Sequence, residues 1–101
     1  MPSLRTLRSF VAVARQGSFA AGAARVSLTQ AAVSLQMRNL EAELKRTLFD
    51  RGGGQGGQGG RSAQLNAAGQ ALLPWAERML ALDAQLHEEL RDAALRADPM
   101  A

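Results

Sequence analysis

A mainly α-helical fold, a winged helix-turn-helix lengthened by one long C-terminal helix, is predicted by three features of this 101-residue sequence. Residues 18–38 hold a short small-residue helix, a tight turn and a second helix of different character. That is the plan in which the second helix enters a DNA major groove. A glycine-rich stretch from Gly52 to Gly60 is bracketed by Arg51 and Arg61, as in the tip of a β-hairpin wing. From Ala67 the chain is alanine-rich and apolar at heptad spacing, which predicts a helix outgrowing the small bundle beside it.

The first helix is predicted from Leu4 to about Gln16. Leu4, Leu7, Val11 and Ala14 recur at helical spacing and Phe10 widens the stripe, while Arg5, Arg8 and Arg15 lie off it. Gly17 stops this helix, and Ser18 offers its side-chain oxygen to the free N–H groups of the next. The second helix, Phe19 to Val26, is built almost wholly of small residues, which lets a neighbour approach closely. Gly22 inside it costs up to about 1 kcal/mol relative to alanine, so close packing is the reason to place it there. Ser27 and Leu28 make the turn.

The third helix, within residues 29–45, carries the functional reading. Thr29 caps it, and at roughly 100° per residue Val33, Met37, Leu40 and Leu44 share one narrow stripe for the bundle. Ala31, Ser34, Leu35 and Arg38 fall on the other side, with Gln30 at the N-terminal end. Arg38 suits a phosphate, or pairs with Glu41 at i+3. Leu35 has no group that can read a hydrogen-bonding edge; it suits a thymine methyl or marks weak sequence specificity. Glu41 and Glu43 come late in the helix, away from its start.

Leu48-Phe49-Asp50-Arg51 and Arg61-Ser62-Ala63-Gln64-Leu65 form the arms of the predicted wing. The glycine tract lacks the Gly-Lys-Ser/Thr ending of a phosphate-binding loop and does not run into a helix N-terminus. Asn66 caps the last helix, predicted from Ala67 to about Arg96. Leu72, Met79, Leu86 and Ala93 repeat every seven residues, with Trp75 and Leu82 beside them. Such a stripe calls for a partner, most simply the same helix of a second subunit. The predicted division is 1–65 for the winged helix-turn-helix, 66–97 for the dimerisation helix and 98–101 for a disordered tail.

Composition restricts the chemistry. There is room for one small domain plus one long element, without a substrate cleft. Cysteine and tyrosine are absent and only three Phe and one Trp are present, so a core built of Leu, Val, Ala and Met is expected, and neither disulfides nor thiolate metal sites are available. His87 is the only histidine and sits among Gln85, Glu88 and Glu89 on a polar helix face. No catalytic constellation, metal set or cofactor is expected, and the prediction is not an enzyme. No apolar run reaches the ~18–20 residues of a membrane span. Phe10 to Ala14 is too short for a secretory core, so a cytoplasmic protein is expected. Residues 1–65 hold nine Arg/Lys and three acids, a balance of +6, whereas residues 66–101 carry −3. A basic front and acidic tail are expected where only the front meets phosphate.

The residues Leu7-Arg8-Ser9-Phe10-Val11-Ala12-Val13-Ala14, Gly17-Ser18-Phe19, Ala23-Ala24-Arg25-Val26 and Thr29-Gln30 carry a resemblance that continues to Ala68-Gly69. The later matching positions are Ala32-Val33-Ser34, Gln36-Met37-Arg38, Leu40-Glu41, Leu44, Leu48-Phe49-Asp50-Arg51 and Leu65. In order, spacing and residue class the chain resembles the N-terminal domain of LysR-type transcriptional regulators. The resemblance implies a winged helix-turn-helix, a linker helix that forms homodimers, and recognition of double-stranded DNA at an interrupted inverted repeat. It implies that Gln30, Ala31, Ser34 and Leu35 face bases or backbone and that Arg51 reaches toward the minor groove. With Ser18, Thr29, Arg38 and Arg61 these make the expected DNA-binding set. Leu72, Trp75, Met79, Leu82 and Leu86 make the expected dimerisation set.

The sequence departs from that family in three places. Ala31 stands where proline is usual, Ala20 replaces a common hydroxyl residue, and the wing is longer and nearly pure glycine. A glycine-rich wing also resembles that of molybdate-responsive regulators. The alternatives to a LysR-type DNA-binding domain are therefore a molybdate-regulator-like domain and a dimerisation module that titrates a full-length regulator. No small-molecule effector portion is expected within these residues.

Overall fold

The computed structural model of the chain describes residues 1–50 and 62–97. Arg51, Arg61, the glycine tract and the tail expected to be disordered lie outside the described residues. The described chain is mainly helical, in the order α1 (Leu4–Gln16), α2 (Phe19–Arg25), α3 (Gln30–Leu44) and α4 (Ala67–Ala97).

Each helix begins on a side-chain cap. Ser3 Oγ accepts from the N–H of Thr6, Ser18 Oγ from Ala21 and Thr29 Oγ1 from Ala32, at 3.0–3.1 Å. Asn66 Oδ1 accepts from Gly69 at 2.9 Å. These bonds satisfy backbone donors that the first helical turn leaves without partners. Gly17 ends α1 at φ 81°, where its N–H donates to Val13 O. The predicted second helix stops one residue early, since Val26 is its C-cap and Ser27 turns the chain at φ 61°. Lys45, with φ 58°, closes α3 and donates its N–H toward Ala42 and Glu41 carbonyls.

The core is assembled around α1, which packs against each of the other three helices. Leu7, Phe10 and Val13 of α1 meet Ala23 of α2, Val33, Met37 and Leu40 of α3, Leu48, Phe49, and Ala76 of α4. Phe49 stands edge-on to both Phe10 and Phe19, with ring centroids 5.9 and 5.2 Å apart. The expected stripe on α1 is rotated: Val13 is buried, whereas Val11 and Ala14 are only half-buried. The cause is visible at Gly22, where a Cβ would lie 2.7 Å from Val13 Cα. Close approach of α2 encloses a side of α1 that a two-helix pattern leaves open.

The expected β-hairpin is reduced, among the described residues, to isolated antiparallel bridges. Phe49 pairs with Leu65, and Ser62 pairs with Ser18. Asp50 N donates to Gln64 O and Asn66 N to Leu48 O, which hold the two arms together. Ala63 N donates to Gly17 O, which ties the second arm to the α1–α2 junction as well.

Helix α4 has 31 residues and runs through Pro74, a length of about 46 Å. Its N-terminal half is fastened to the bundle through buried Gly69 and Ala76 and half-buried Leu72, Leu73 and Met79. An ion pair from Arg15 of α1 to Glu77 adds a polar tie.

Candidate nucleic-acid interface

The interface is built on α3. Val33, Met37 and Leu40 are at most 2% exposed, which fixes the rotation of the helix about its own axis. At roughly 100° per residue, Ala31, Leu35 and Arg38 then share the opposite face, and all three are exposed. Gln30 and Ser34 are half-buried on its flank. Thr29 caps the helix with its Oγ1, so that the exposed face begins in the first helical turn.

Electrostatics favour an anion on this face. Both carboxylates of α3 are held elsewhere: Glu41, 8% exposed, accepts from Leu48 N at 2.7 Å, and Glu43 pairs with the N-terminal ammonium of Met1 at 2.9 Å. The pairing of Arg38 with Glu41 considered from the sequence does not form. Arg38 makes no ion pair among the described residues. Its guanidinium carries a permanent charge and planar donors suited to phosphate or to a guanine edge.

Ser18 and Thr29 stand at the starts of α2 and α3, each with its hydroxyl oxygen already accepting a backbone N–H. What remains to each is the hydroxyl proton, a donor that a phosphate oxygen can use. Arg51 and Arg61, the expected wing cations, lie outside the described residues. Arg5 and Arg8 are two further cations near this face that the expected set does not include. Both are exposed on α1 and, with Ser9, line a shallow hollow against Val26 and Leu28, the turn that leads into α3. Their signal was present in the sequence: both lie off the apolar stripe of α1, yet nothing there tells which neighbour that side meets.

The expected dimerisation residues fall into two groups. Leu72 and Met79 pack against the domain's own core. Trp75, Leu82 and Leu86 are 56, 58 and 53% exposed, and Leu90 extends them toward the C-terminus. These four lie on one stripe of α4 at helical spacing. The guanidinium of Arg78 covers the Trp75 ring at 4.8 Å from its centroid. Among the described residues no group of His, Cys, Asp and Glu is arranged to hold a metal ion. No described helix is long and apolar enough to cross a membrane.

Residues 4–70 match the family described as bacterial regulatory helix-turn-helix protein, lysR family. A probable RuBisCO transcriptional regulator of Nostoc sp. is 45% identical over 80 residues, which make up 79% of this chain and 22% of that protein. An uncharacterized HTH-type transcriptional regulator of Azotobacter vinelandii is 44% identical over 79 residues, 78% of this chain and 50% of the relative. The chain thus spans about a fifth of the length of the RuBisCO-regulator relatives. Among solved structures, the CbnR DNA-binding domain in complex with DNA superposes with a TM-score of 0.78 at 36% identity, covering 91% of this chain and 98% of that one. The BenM DNA-binding domain in complex with benA site 1 DNA gives 0.78 at 29% identity, covering 91% and 96%.

Proposed function

This chain belongs to the lysR family of bacterial regulatory helix-turn-helix proteins, and from that membership we propose that it is a dimeric, sequence-specific DNA-binding domain that serves transcription regulation. Helix α3 enters the major groove with Gln30, Ala31, Ser34 and Leu35 toward the bases and Arg38 toward the backbone. Ser18 and Thr29 donate to phosphates where α2 and α3 begin. Arg51 and Arg61 extend the contact from the wing. Two copies joined through the α4 stripe of Trp75, Leu82 and Leu86 place two α3 helices on an interrupted inverted repeat, one or two helical turns apart. Its place of action is the compartment that holds the chromosome, the bacterial cytoplasm.

The observation that carries this reading is the exposed face of α3. It offers Arg38 and apolar and hydroxyl groups, while Glu41 and Glu43 are both engaged elsewhere. A free carboxylate on that face would repel phosphate. Binding to a labelled duplex, measured by anisotropy over a salt series, tests the proposal. Log K falls linearly with log salt, and Arg38→Ala flattens that slope by about one unit for each phosphate that the arginine neutralises. An unchanged slope and affinity in the variant contradict the placement of Arg38.

A further inference from the structure

Leu35 is the one large apolar side chain of α3 more than half exposed, at 54%, while Val33, Met37 and Leu40 are buried. Packing does not account for it, because it lies across the helix from the core. Helix propensity does not account for it either, since arginine, lysine, glutamine and glutamate serve an exposed helical position as well. Ala31, also exposed, sits one turn earlier on the same face, with Cβ atoms of such i,i+4 pairs about 6 Å apart. Together they form a small apolar strip bordered by Ser34 and Arg38.

From this strip we infer that the base Leu35 reads is thymine, through its 5-methyl group, with Ala31 completing the apolar contact. The inference rests on the placement of α3 in the major groove and deepens it. Hydrogen-bonding groups make up the rest of the major-groove edges, and the thymine methyl is the apolar group among them. Leucine can neither donate nor accept. Opposite a cytosine amino group or a purine N7 it would strip water from a polar group and return no hydrogen bond. Opposite a thymine methyl it buries carbon against carbon. Arg38, one turn further on, holds the strip against the backbone by charge.

The test uses the full chain and the duplex that it selects from a random pool. Each thymine of a half-site is replaced singly by deoxyuridine, which removes the methyl and leaves every hydrogen-bonding group in place. One position is expected to lose about fourfold in affinity, the loss that a buried methylene-sized group represents. Leu35→Ala is expected to weaken binding to the thymine duplex by a similar factor and to abolish the deoxyuridine penalty at that position alone. The penalty persisting undiminished in Leu35→Ala, or no position being sensitive to deoxyuridine, overturns the inference. So does a change in sedimentation of Leu35→Ala with unaltered DNA affinity, which would make the strip a surface for another protein chain. Absence of preferential binding to any duplex by the unaltered chain would overturn the sequence-specific reading by α3 on which the inference rests, and is distinct from a duplex that binds without methyl dependence.

Discussion

Glu41 of α3 accepts a hydrogen bond from the backbone N–H of Leu48 at 2.7 Å, and both residues are buried. The same Leu48 accepts from Asn66 N through its carbonyl, and Asn66 Nδ2 donates to the carbonyl of Thr47. Asn66 in turn caps α4. One carboxylate and one amide thus join the end of α3, the root of the first arm and the start of the long helix. The direction of α4 relative to α3 is set by polar contacts as well as by the core.

Removal of that carboxylate leaves the Leu48 N–H buried and without this acceptor. Glu41→Ala is expected to lower stability by about 1–3 kcal/mol, the desolvation cost of a buried donor. Glu41→Gln retains an acceptor oxygen and should lose less. Thermal unfolding of the two variants checks the order, and equal melting temperatures for Gln and Ala would show that the bond to Leu48 contributes nothing.

At Gly22 two effects oppose one another. Alanine gains up to about 1 kcal/mol of helix propensity in α2. Its Cβ, however, would lie 2.7 Å from Val13 Cα and 2.8 Å from Val13 N, which are backbone atoms that cannot rotate away. Overpacking of this kind costs about 1–3 kcal/mol, so Gly22→Ala is expected to be destabilising. A rise in the denaturation midpoint would mean that the α1–α2 separation is not fixed.

Lys45 holds a left-handed backbone at φ 58° where α3 ends. The Cβ of an L-residue makes that conformation cost about 1–2 kcal/mol, and glycine avoids it. Lys45→Gly is therefore expected to raise stability by about 1 kcal/mol after its larger loss of chain entropy. For a chain of this size that is a rise of about 4–8 °C in Tm. A fall in Tm would locate a stabilising role in the lysine side chain.

The exposed half of the α4 stripe is where a second copy is expected. Met79 packs on the domain's own core, so Leu82 and Leu86 are the pair to replace. Leu82→Asp with Leu86→Asp should convert the dimer to monomer in sedimentation while the core signal in near-ultraviolet dichroism from the aromatics is kept. A dimer that survives both changes would place the interface on another surface.

Much of the fold is legible in the sequence because the signals are local. Gly17, Ser18, Thr29 and Asn66 mark helix ends by chemistry confined to a single turn, and Val33, Met37 and Leu40 announce the inner face of α3. The remaining features depend on contacts distant in the chain. Glu41 reads as a late acid of α3 or an i+3 partner of Arg38 until Lys45 turns the chain back and brings Leu48 N to it. Leu72 and Met79 share a heptad with Leu86, yet periodicity does not distinguish a residue buried in its own bundle from one awaiting a partner. Ser62 pairs with Ser18, and no pattern within either segment foretells it. The site is legible in one respect above all: Ala31, Leu35 and Arg38 lie opposite the buried stripe of α3.

The measurement that bears most directly on the central claim is selection from a random duplex pool by the full chain at near-physiological salt, followed by sequencing. Enrichment of an interrupted inverted repeat, its half-sites one or two helical turns apart, is the result expected of two α3 helices held by paired α4 helices. A folded protein that enriches no sequence, and whose binding to any duplex fades with salt alone, would contradict sequence-specific reading by α3.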